Sequence, residues 1–453
     1  MSRGIILTLR WGRNLLARFL VGTIPVIGHI NPIVPIVREL VSRGHEVRWY
    51  TGEQFRIKVD LSGATWCRMK RAVSYYGTQG MDAFPERMAL LGVDRVIWDI
   101  ENVFIPDAAK QADDLADILA DFPADAILCD TMFLGARFLH EKGGGPPWAK
   151  FNITVLGVPD TAGNAPPLGL GLQPGEGVVA RARNRSLHWM ADNVLFRKTH
   201  QKYRDARVAY GLPEDNRTLT DDVLSPYLWL QGTAPSFEYP FTNLPPQVHF
   251  VGSILPPDAS FSWPALHKEI ELKERPVVLV TQGTIAVDAN DLIKPVCAAL
   301  ATEDVLVVAT TAGSAVNMAT PENVRLASFL PYSQVLPYVD VLVTNGSYGT
   351  VQHALTYGVP MVACGTTEDK IEVCARIEWS GAGIRLKGSP PQETQIRNAV
   401  RRVLTDPSFK TAAQRIQSDL RKHDGPNEAV ALLEELARTG QPVVTPLEPM
   451  GSV

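Results

Sequence analysis

Residues 19–51 read FLVGTIPVIGHINPIVPIVRELVSRGHEVRWYT. The apolar run Phe19–Pro25 predicts a strand that ends at a proline, and the spacing of the apolar residues after it predicts a helix over Pro35–Ser42. Gly44 ends that helix, and His45–Thr51 predicts a second strand. A strand, a helix and a strand at such short range are typical of a βαβ unit. The stretch therefore predicts a parallel sheet with helices on its faces.

The same alternation recurs along both halves of the chain. In the first half we predict a helix over Ala109–Ala120 and a strand over Ala126–Cys129. In the second half the predicted strands are Pro276–Val280, Val305–Ala309, Val324–Ala327, Val339–Thr344 and Met361–Ala363. Between the halves, residues 235–265 hold seven prolines, a composition typical of a connection between domains. We therefore expect an α/β protein with two Rossmann-like domains facing a central cleft.

Composition narrows the class of protein. The chain has 453 residues, of which 45% are hydrophobic and 20% charged, as in globular proteins of two or three domains. The net charge of −4 gives no basic field for nucleic acid, and no apolar run is long enough to span a bilayer. The five cysteines lie far apart, without a CxxC, which favours reduced thiols in a cytoplasmic protein over zinc or disulfide sites.

The amino-terminal segment MSRGIILTLRWGRNLLARFL carries four arginines and no acid. This composition fits a presequence, an interfacial helix or an unstructured start, and the sequence leaves the role of residues 1–17 open.

Two loops rich in glycine and small hydroxyl side chains follow predicted strands of the second half. Residues 345–350 read NGSYGT and lead into a helix, whose first turn has unpaired N–H donors and a partial positive charge. Glycines there let a phosphate approach the backbone. Residues 281–284 read TQGT and follow another strand. Two such loops around one crevice favour a diphosphate, although an ordinary strand–turn–helix explains either loop alone; neither is a P-loop or a GxGxxG fingerprint.

A histidine and an aspartate of the first half follow two predicted strands of one sheet. His29 comes directly after the first strand, and Asp130 ends a later one. A pair of this kind can act as a general base with an orienting carboxylate. A structural role for His29 and a helix N-cap role for Asp130 are the alternatives.

These motifs, in this order, resemble those of family 1 glycosyltransferases, the UDP-sugar-dependent enzymes with the GT-B fold. The resemblance covers residues 18 to 437 and rests on GHINP, RGHEV, FLPYSQVLP, NGSYGT, ALTYGVPM and TTEDK. It implies an acceptor-binding Rossmann-like domain and then a nucleotide-sugar-binding one. The implied boundaries are 18–240 for the first domain, 241–265 for a linker, 266–427 for the second domain, 428–440 for a terminal helix and 441–453 for a tail.

The resemblance also implies roles for particular residues. His29 would be the general base and Asp130 its partner, Phe329 would stack near the uracil, and Asp369 with Lys370 would contact the sugar hydroxyls. The full set implied for donor binding is Thr284, Phe329, Asn345, Gly346, Ser347, Gly349, Thr350, His353, Asp369 and Lys370. No cofactor and no metal are implied, and the chain has no strict Asp-x-Asp motif. The co-substrate would be UDP-glucose or a related UDP-sugar.

Four positions depart from the usual pattern of the family. Asn345 stands where His is usual, His353 where a Glu contacts the ribose, Lys370 where Gln is usual, and Tyr332 where Gln is common. These departures leave open whether the nucleotide is UDP or TDP, and which sugar it carries.

An acceptor pocket is predicted in the first domain, around residues 75–105, 157–178 and 186–200. The candidate lining residues are Tyr75, Phe84, Trp98 and Phe133. Their aromatic rings suit a flat or greasy aglycone such as a phenol, polyketide or sterol, and core packing is the alternative for each of them.

The sequence thus predicts an inverting glycosyltransferase that moves a sugar from a UDP-sugar to a hydroxyl of a hydrophobic or phenolic small molecule, and glucose is the first candidate for that sugar. A non-catalytic nucleotide-sugar-binding partner protein and a sugar-nucleotide epimerase on the same fold are the alternatives. The expected partners are an aglycone and a nucleotide sugar, without nucleic acid. The acceptor's identity and the oligomeric state stay open.

Overall fold

The computed structural model of the protein describes residues 16–72, 84–90, 92–158, 160, 162–258, 264–283, 288–314, 316–388 and 390–445. In this part of the chain the strands form two parallel sheets. The first has the order β3-β2-β1-β4-β5-β6-β7. Its strands are β1 (Arg18–Gly22), β2 (Glu46–Thr51), β3 (Thr65–Arg68), β4 (Ala126–Asp130), β5 (Trp148–Asn152), β6 (Leu228–Gln231) and β7 (Val248–Phe250).

The second sheet has the order β10-β9-β8-β11-β12-β13 and is also parallel. Its strands are β8 (Val277–Thr281), β9 (Leu306–Thr310), β10 (Val324–Ala327), β11 (Val341–Thr344), β12 (Met361–Ala363) and β13 (Gly383–Arg385). The central strands β8 and β11 read VVLVT and VLVT and are buried throughout, because helices cover both faces of a parallel sheet. The predicted α/β fold with two Rossmann-like domains is confirmed.

Helices surround both sheets. Those before the second sheet are α1 (Ile27–Ile30), α2 (Val34–Ser42), α3 (Arg56–Asp60), α4 (Pro85–Met88), α5 (Gly92–Asp99), α6 (Ile105–Asp121), α7 (Gly135–Glu141), α8 (Gly177–Met190), α9 (Arg197–Ala209), α10 (Leu219–Val223) and α11 (Pro264–Leu272). Later come α12 (Ile293–Leu300), α13 (Tyr332–Val335), α14 (Tyr348–Thr356), α15 (Lys370–Trp379), α16 (Glu393–Thr405), α17 (Pro407–Leu420) and α18 (Gly425–Thr439). π-helical turns at Ile100–Phe104 and Ala191–Leu195 follow α5 and α8.

The domain boundary predicted at residue 240 is wrong. Strand β7 lies inside the predicted linker, yet it pairs with β6 and completes the first sheet. Its three residues, Val-His-Phe, stand among prolines and are too few to show a strand period. The terminal helix α18 begins at Gly425 and packs its buried apolar residues into the core of the first domain.

Candidate active site

A cavity of about 290 Å³ lies between the two sheets, at the carboxyl ends of their strands. Ligands bind at this edge in open parallel sheets, where helices on opposite faces leave a crevice. The first domain contributes the segments after β1, β5 and β6, and the second contributes the segments after β8, β9, β10 and β11. Residues of the interdomain connection, Pro256 to Asp258, close one side.

His29 and Asp130 come together next to this cavity. His29 follows β1 and Asp130 ends β4, and these strands are neighbours in the sheet. His29 Nδ1 lies 3.1 Å from Asp130 Oδ1. The aspartate is fully buried, whereas the histidine side chain is 16% exposed. The contact does not have the geometry of a hydrogen bond. The imidazole ring must therefore rotate before its Nδ1–H group can donate to the carboxylate.

Backbone donors fix the carboxylate of Asp130. Its Oδ2 accepts from Ile24 N at 2.7 Å and its Oδ1 from Met132 N at 2.8 Å. Helix α7 begins only at Gly135, so Asp130 does not cap it. The carboxylate is therefore held in one orientation, facing the imidazole.

Lys150 lies behind this carboxylate and was not predicted. It is 1% exposed, and its Nζ donates to the carbonyl oxygens of Thr131 at 2.7 Å and Phe133 at 3.0 Å. Burial lowers the pKa of this ammonium group. These bonds fix the turn that carries Asp130. A charged residue in the middle of the apolar strand WAKFN was the available signal in the sequence.

The glycine-rich loop before α14 forms the opposite wall. Gly346 has φ +84°, and a Cβ there would lie 2.6 Å from Cys374 Sγ, so only glycine fits. A Cβ on Gly349 would meet nothing within 4 Å, which leaves its backbone open to a ligand. Ser347, Gly349 and Thr350 line the cavity with the first turn of α14.

Asn345 connects the loop after β8 with the glycine-rich loop before α14. Its Nδ2 donates to Gln282 O at 2.5 Å, and its Oδ1 accepts from Ser347 N at 3.2 Å. The side chain thus holds the end of β8 against the start of α14. Gly283 lines the cavity beside it, and Thr284 lies outside the described residues.

Aromatic side chains form the end of the cavity near β10. Phe329 is 43% exposed on the cavity wall. Tyr332 donates its hydroxyl to Thr281 Oγ1 at 3.1 Å, and its ring meets His353 edge-on with centroids 5.2 Å apart. Burial lowers the pKa of His353 to about 4, so this imidazole is neutral at pH 7.

A buried amide on the same wall was missed by the sequence analysis. Gln352 is 2% exposed, lines the cavity and receives a hydrogen bond from Ser253 on its Oε1. Its Nε2 is buried and has no hydrogen-bond partner among the described residues. Such a donor is available to a ligand, because an unsatisfied buried N–H group costs free energy.

Comparisons with known proteins agree with this architecture. A family model described as the C-terminal domain of erythromycin biosynthesis protein CIII-like proteins matches residues 294–436. The 4'-demethylrebeccamycin synthase of Lentzea aerocolonigenes is 44% identical over 93% of this chain and 99% of its own length. UDP-glycosyltransferase 2 of Phaeomoniella chlamydospora is 29% identical over 92% of this chain and 95% of its own.

The chain belongs to the family 1 glycosyltransferases. Its fold is that of the solved kitacinnamycin glycotransferase, with a TM-score of 0.71 and 20% identity over 92% of this chain and 98% of that one. The predicted GT-B fold is confirmed, and the protein is a glycosyltransferase of natural-product type that takes its sugar from a nucleotide sugar.

Asp369 and Lys370 lie at the start of α15, outside the lining of the 290 Å³ cavity in this glycosyltransferase. Thr154 of the first domain donates its hydroxyl to Asp369 Oδ2 at 2.5 Å, and burial raises the pKa of that carboxyl. The Lys370 ammonium contacts Glu368 and Thr367. The two residues thus sit where the domains meet.

The aromatic residues predicted to line the acceptor pocket lie in different environments. The rings of Phe84 and Trp98 pack against each other with centroids 5.2 Å apart, and both are partly exposed. Phe133 is fully buried against Gly22 and Tyr50, so its prediction as a pocket residue is wrong: it is a core residue. Tyr75 lies outside the described residues.

The loop 157–178 reaches across to the second domain. The backbone N–H groups of Gly169 and Gly171 both donate to Glu372 Oε1, at 2.9 and 2.7 Å.

Among the residues that the structure describes, no three His, Cys, Asp or Glu side chains are grouped so as to hold a metal ion. No helix of the described residues is long and apolar enough to cross a membrane.

Proposed function

We propose that the enzyme transfers glucose from UDP-glucose to a hydroxyl of a hydrophobic or phenolic small molecule, with inversion at the anomeric carbon. His29 acts as general base and Asp130 as its partner. The observation that carries the proposal is the 3.1 Å contact between His29 and a fully buried carboxylate beside the interdomain cavity. The names of the bacterial synthase and the fungal UDP-glycosyltransferase support a natural-product acceptor and a UDP donor.

In the proposed step the acceptor hydroxyl loses its proton to His29 while its oxygen attacks the anomeric carbon. The Asp130 carboxylate stabilises the resulting imidazolium, and the oxocarbenium-like transition state collapses to a β-glycoside from an α-linked donor. A single displacement therefore inverts the configuration.

The departing diphosphate gains negative charge, and the start of α14 faces it in this proposal. The N-terminus of a helix carries about half a positive charge, and Ser347 and Thr350 add hydroxyl donors. Each donor aimed at a developing anion is worth roughly 2.7–4 kcal/mol. Loss of the Thr350 hydroxyl should accordingly lower turnover more than stability.

The test is transfer from UDP-glucose and TDP-glucose to a panel of phenolic acceptors, with wild type beside His29→Ala. We expect a β-glucoside from wild type and a loss of roughly 10²–10⁴-fold in turnover in the variant, with UDP binding retained. Equal turnover in both proteins would remove His29 from the mechanism. If the protein binds UDP but transfers sugar to no acceptor, the partner-protein alternative is favoured. If TDP-glucose is the better donor, only the identity of the nucleotide in the proposal changes.

A further inference from the structure

An unusual share of the exposed apolar surface lies on one helix and the turn after it. Six of the fifteen exposed large apolar side chains of the described residues fall within an eighteen-residue segment of α8 and its π-helical turn. We call them the α8 outer face: Val178, Val179, Trp189, Met190, Val194 and Leu195. Val179 is 84% and Trp189 63% exposed. Apolar patches of this density mark interaction surfaces.

The helical period separates this face from the side that holds α8 to the protein. Asn184 is fully buried, and its Nδ2 donates to the carbonyl oxygens of Gly163 and Asn164 at 2.9 and 3.2 Å. His188, four residues later, contacts Ala165 O at 3.1 Å. The helix is thus anchored through one stripe of polar side chains. The opposite stripe carries the apolar residues into solvent.

Positive charge is concentrated along α8 and the turn after it. Between residues 176 and 198 there are five basic side chains and two acidic ones, in a protein whose net charge is −4. No ion pair to a carboxylate of the described residues involves Arg181, Arg183, Arg185, Arg197 or Lys198. An exposed tryptophan and valines flanked by uncompensated arginines suit an interface between water and an anionic lipid surface.

The α8 outer face also lies next to the loop that is predicted to line the acceptor pocket. The residues that α8 binds, Gly163 to Ala165, belong to loop 157–178, which runs on to the domain interface at Glu372. A hydrophobic acceptor concentrates in a bilayer rather than in water. A protein seated on the bilayer through α8 would therefore hold this loop close to its acceptor.

We propose that the α8 outer face docks the protein on anionic lipid membranes. The occupant is a bilayer surface, because the exposed residues lie along one helix and its turn and five of their seven charged neighbours are basic. Docking is peripheral: the apolar side chains enter the headgroup region while the arginines meet lipid phosphates. The benefit for the acceptor rests on the proposed function, whereas the docking itself rests only on the exposed residues and charges of α8.

The test is co-sedimentation of the full chain with vesicles of phosphatidylglycerol and phosphatidylcholine, beside phosphatidylcholine alone. We expect binding to the anionic vesicles that weakens as salt rises, because salt screens the charges. The variant Trp189→Ser with Val179→Ser should bind at least about tenfold more weakly. Leu272→Ser, another exposed apolar position at 60% exposure, should bind like wild type.

A charge pair separates docking from loss of fold. Arg197→Glu with Lys198→Glu should also lose at least about tenfold, whereas Lys387→Glu with Arg421→Glu, exposed in the second half of the chain, should not. Equal binding by both pairs, or no binding by wild type, overturns the proposal. The wild type could instead be a dimer that does not bind vesicles. If the double variant Trp189→Ser with Val179→Ser is then a monomer, the α8 outer face binds a second copy of the chain, and the membrane proposal is overturned. Sedimentation measures membrane binding and does not depend on glycosyl transfer. The docking proposal and the proposed function can therefore fail independently.

Discussion

At the scale of single residues, the candidate site depends on groups held by backbone donors. Asp130 is oriented by two N–H groups and backed by the buried ammonium of Lys150 through the turn that follows β4. A carboxylate held in this way costs little to keep in place when the imidazole becomes charged. It therefore suits the partner of a general base.

Changing Asp130 to Asn removes that negative charge with almost no change in shape. We expect turnover to fall roughly 10²-fold or more, because the imidazolium of His29 loses its counter-charge, while UDP binding persists. The matched control is Asp125→Asn. Asp125 directly precedes β4 and also accepts a hydrogen bond from a backbone N–H group, that of Arg18, at 2.8 Å. Steady-state kinetics and UDP titration check the prediction. Similar turnover in the two variants would contradict it.

His353 should make stability depend on pH. Its pKa in the folded protein is about 4, below the ordinary 6.5, so the unfolded chain binds more protons between these values. The stabilisation is complete above pH 6.5 and is lost as the pH falls towards 4. At pH 5, wild type should lose up to about 2 kcal/mol relative to its stability at pH 8.

His353→Gln should not show this loss, because glutamine does not titrate. Chemical denaturation of both proteins at pH 8 and pH 5 measures the difference, in which the other titrating groups cancel. The same pH dependence in both proteins would show that His353 is not desolvated as described.

At the scale of elements, the strand–loop–helix unit β11–α14 shapes one wall of the cavity. The loop turns through a left-handed glycine, Asn345 ties it to the end of β8, and the first turn of α14 opens into the cavity. The two glycines of this loop serve different purposes. Gly346 packs closely against Cys374, which leaves no room for a side chain, whereas Gly349 faces open space.

Alanine at these two positions should give opposite outcomes. Gly346→Ala places a methyl group 2.6 Å from Cys374 Sγ at φ +84°, so we expect a loss of about 2–3 kcal/mol of stability. Gly349→Ala should keep or slightly raise stability, since alanine favours a helix, yet weaken UDP binding by intruding on the cavity. Thermal denaturation and calorimetric titration with UDP distinguish them. The assignment fails if Gly346→Ala is as stable as wild type or Gly349→Ala binds UDP normally.

At the scale of the whole molecule, a buried charge cluster joins the two domains. Arg376 of α15 donates from Nε to Glu238 Oε2 of the first domain at 2.6 Å and contacts Glu372 at 3.1 Å. All three side chains are at most 4% exposed, and the guanidinium lies over the Tyr239 ring. Glu372 in turn holds loop 157–178 through Gly169 and Gly171.

Breaking this cluster should loosen the domains. Arg376→Met leaves two buried carboxylates without a counter-charge, so we expect a loss of about 3–5 kcal/mol, with unfolding that separates into two transitions. Arg401→Met removes an exposed pair with Glu303 and should leave the stability almost unchanged, because water and salt screen exposed charges. Denaturant unfolding followed by fluorescence measures both. A single unshifted transition in Arg376→Met would show that the cluster does not join the domains.

The local pattern of the chain was enough to predict the α/β class, most central strands and the two glycine-containing loops that line the cavity. These features depend on apolar periodicity and on glycine at turns, which act over a few neighbours. Strands β3, β5, β6, β7 and β13 were missed, because Lys150 interrupts β5 and the others are too short to show a clear period.

Only the tertiary structure decided which distant residues meet. The pairing of β1 with β4 brings His29 to Asp130, residue 133 turns into the core, and Lys150 and Gln352 acquire roles that depend on burial. The cluster at Arg376 joins residues from both domains. Burial and long-range pairing follow from the packing of whole sheets, and no local stretch of sequence contains that information.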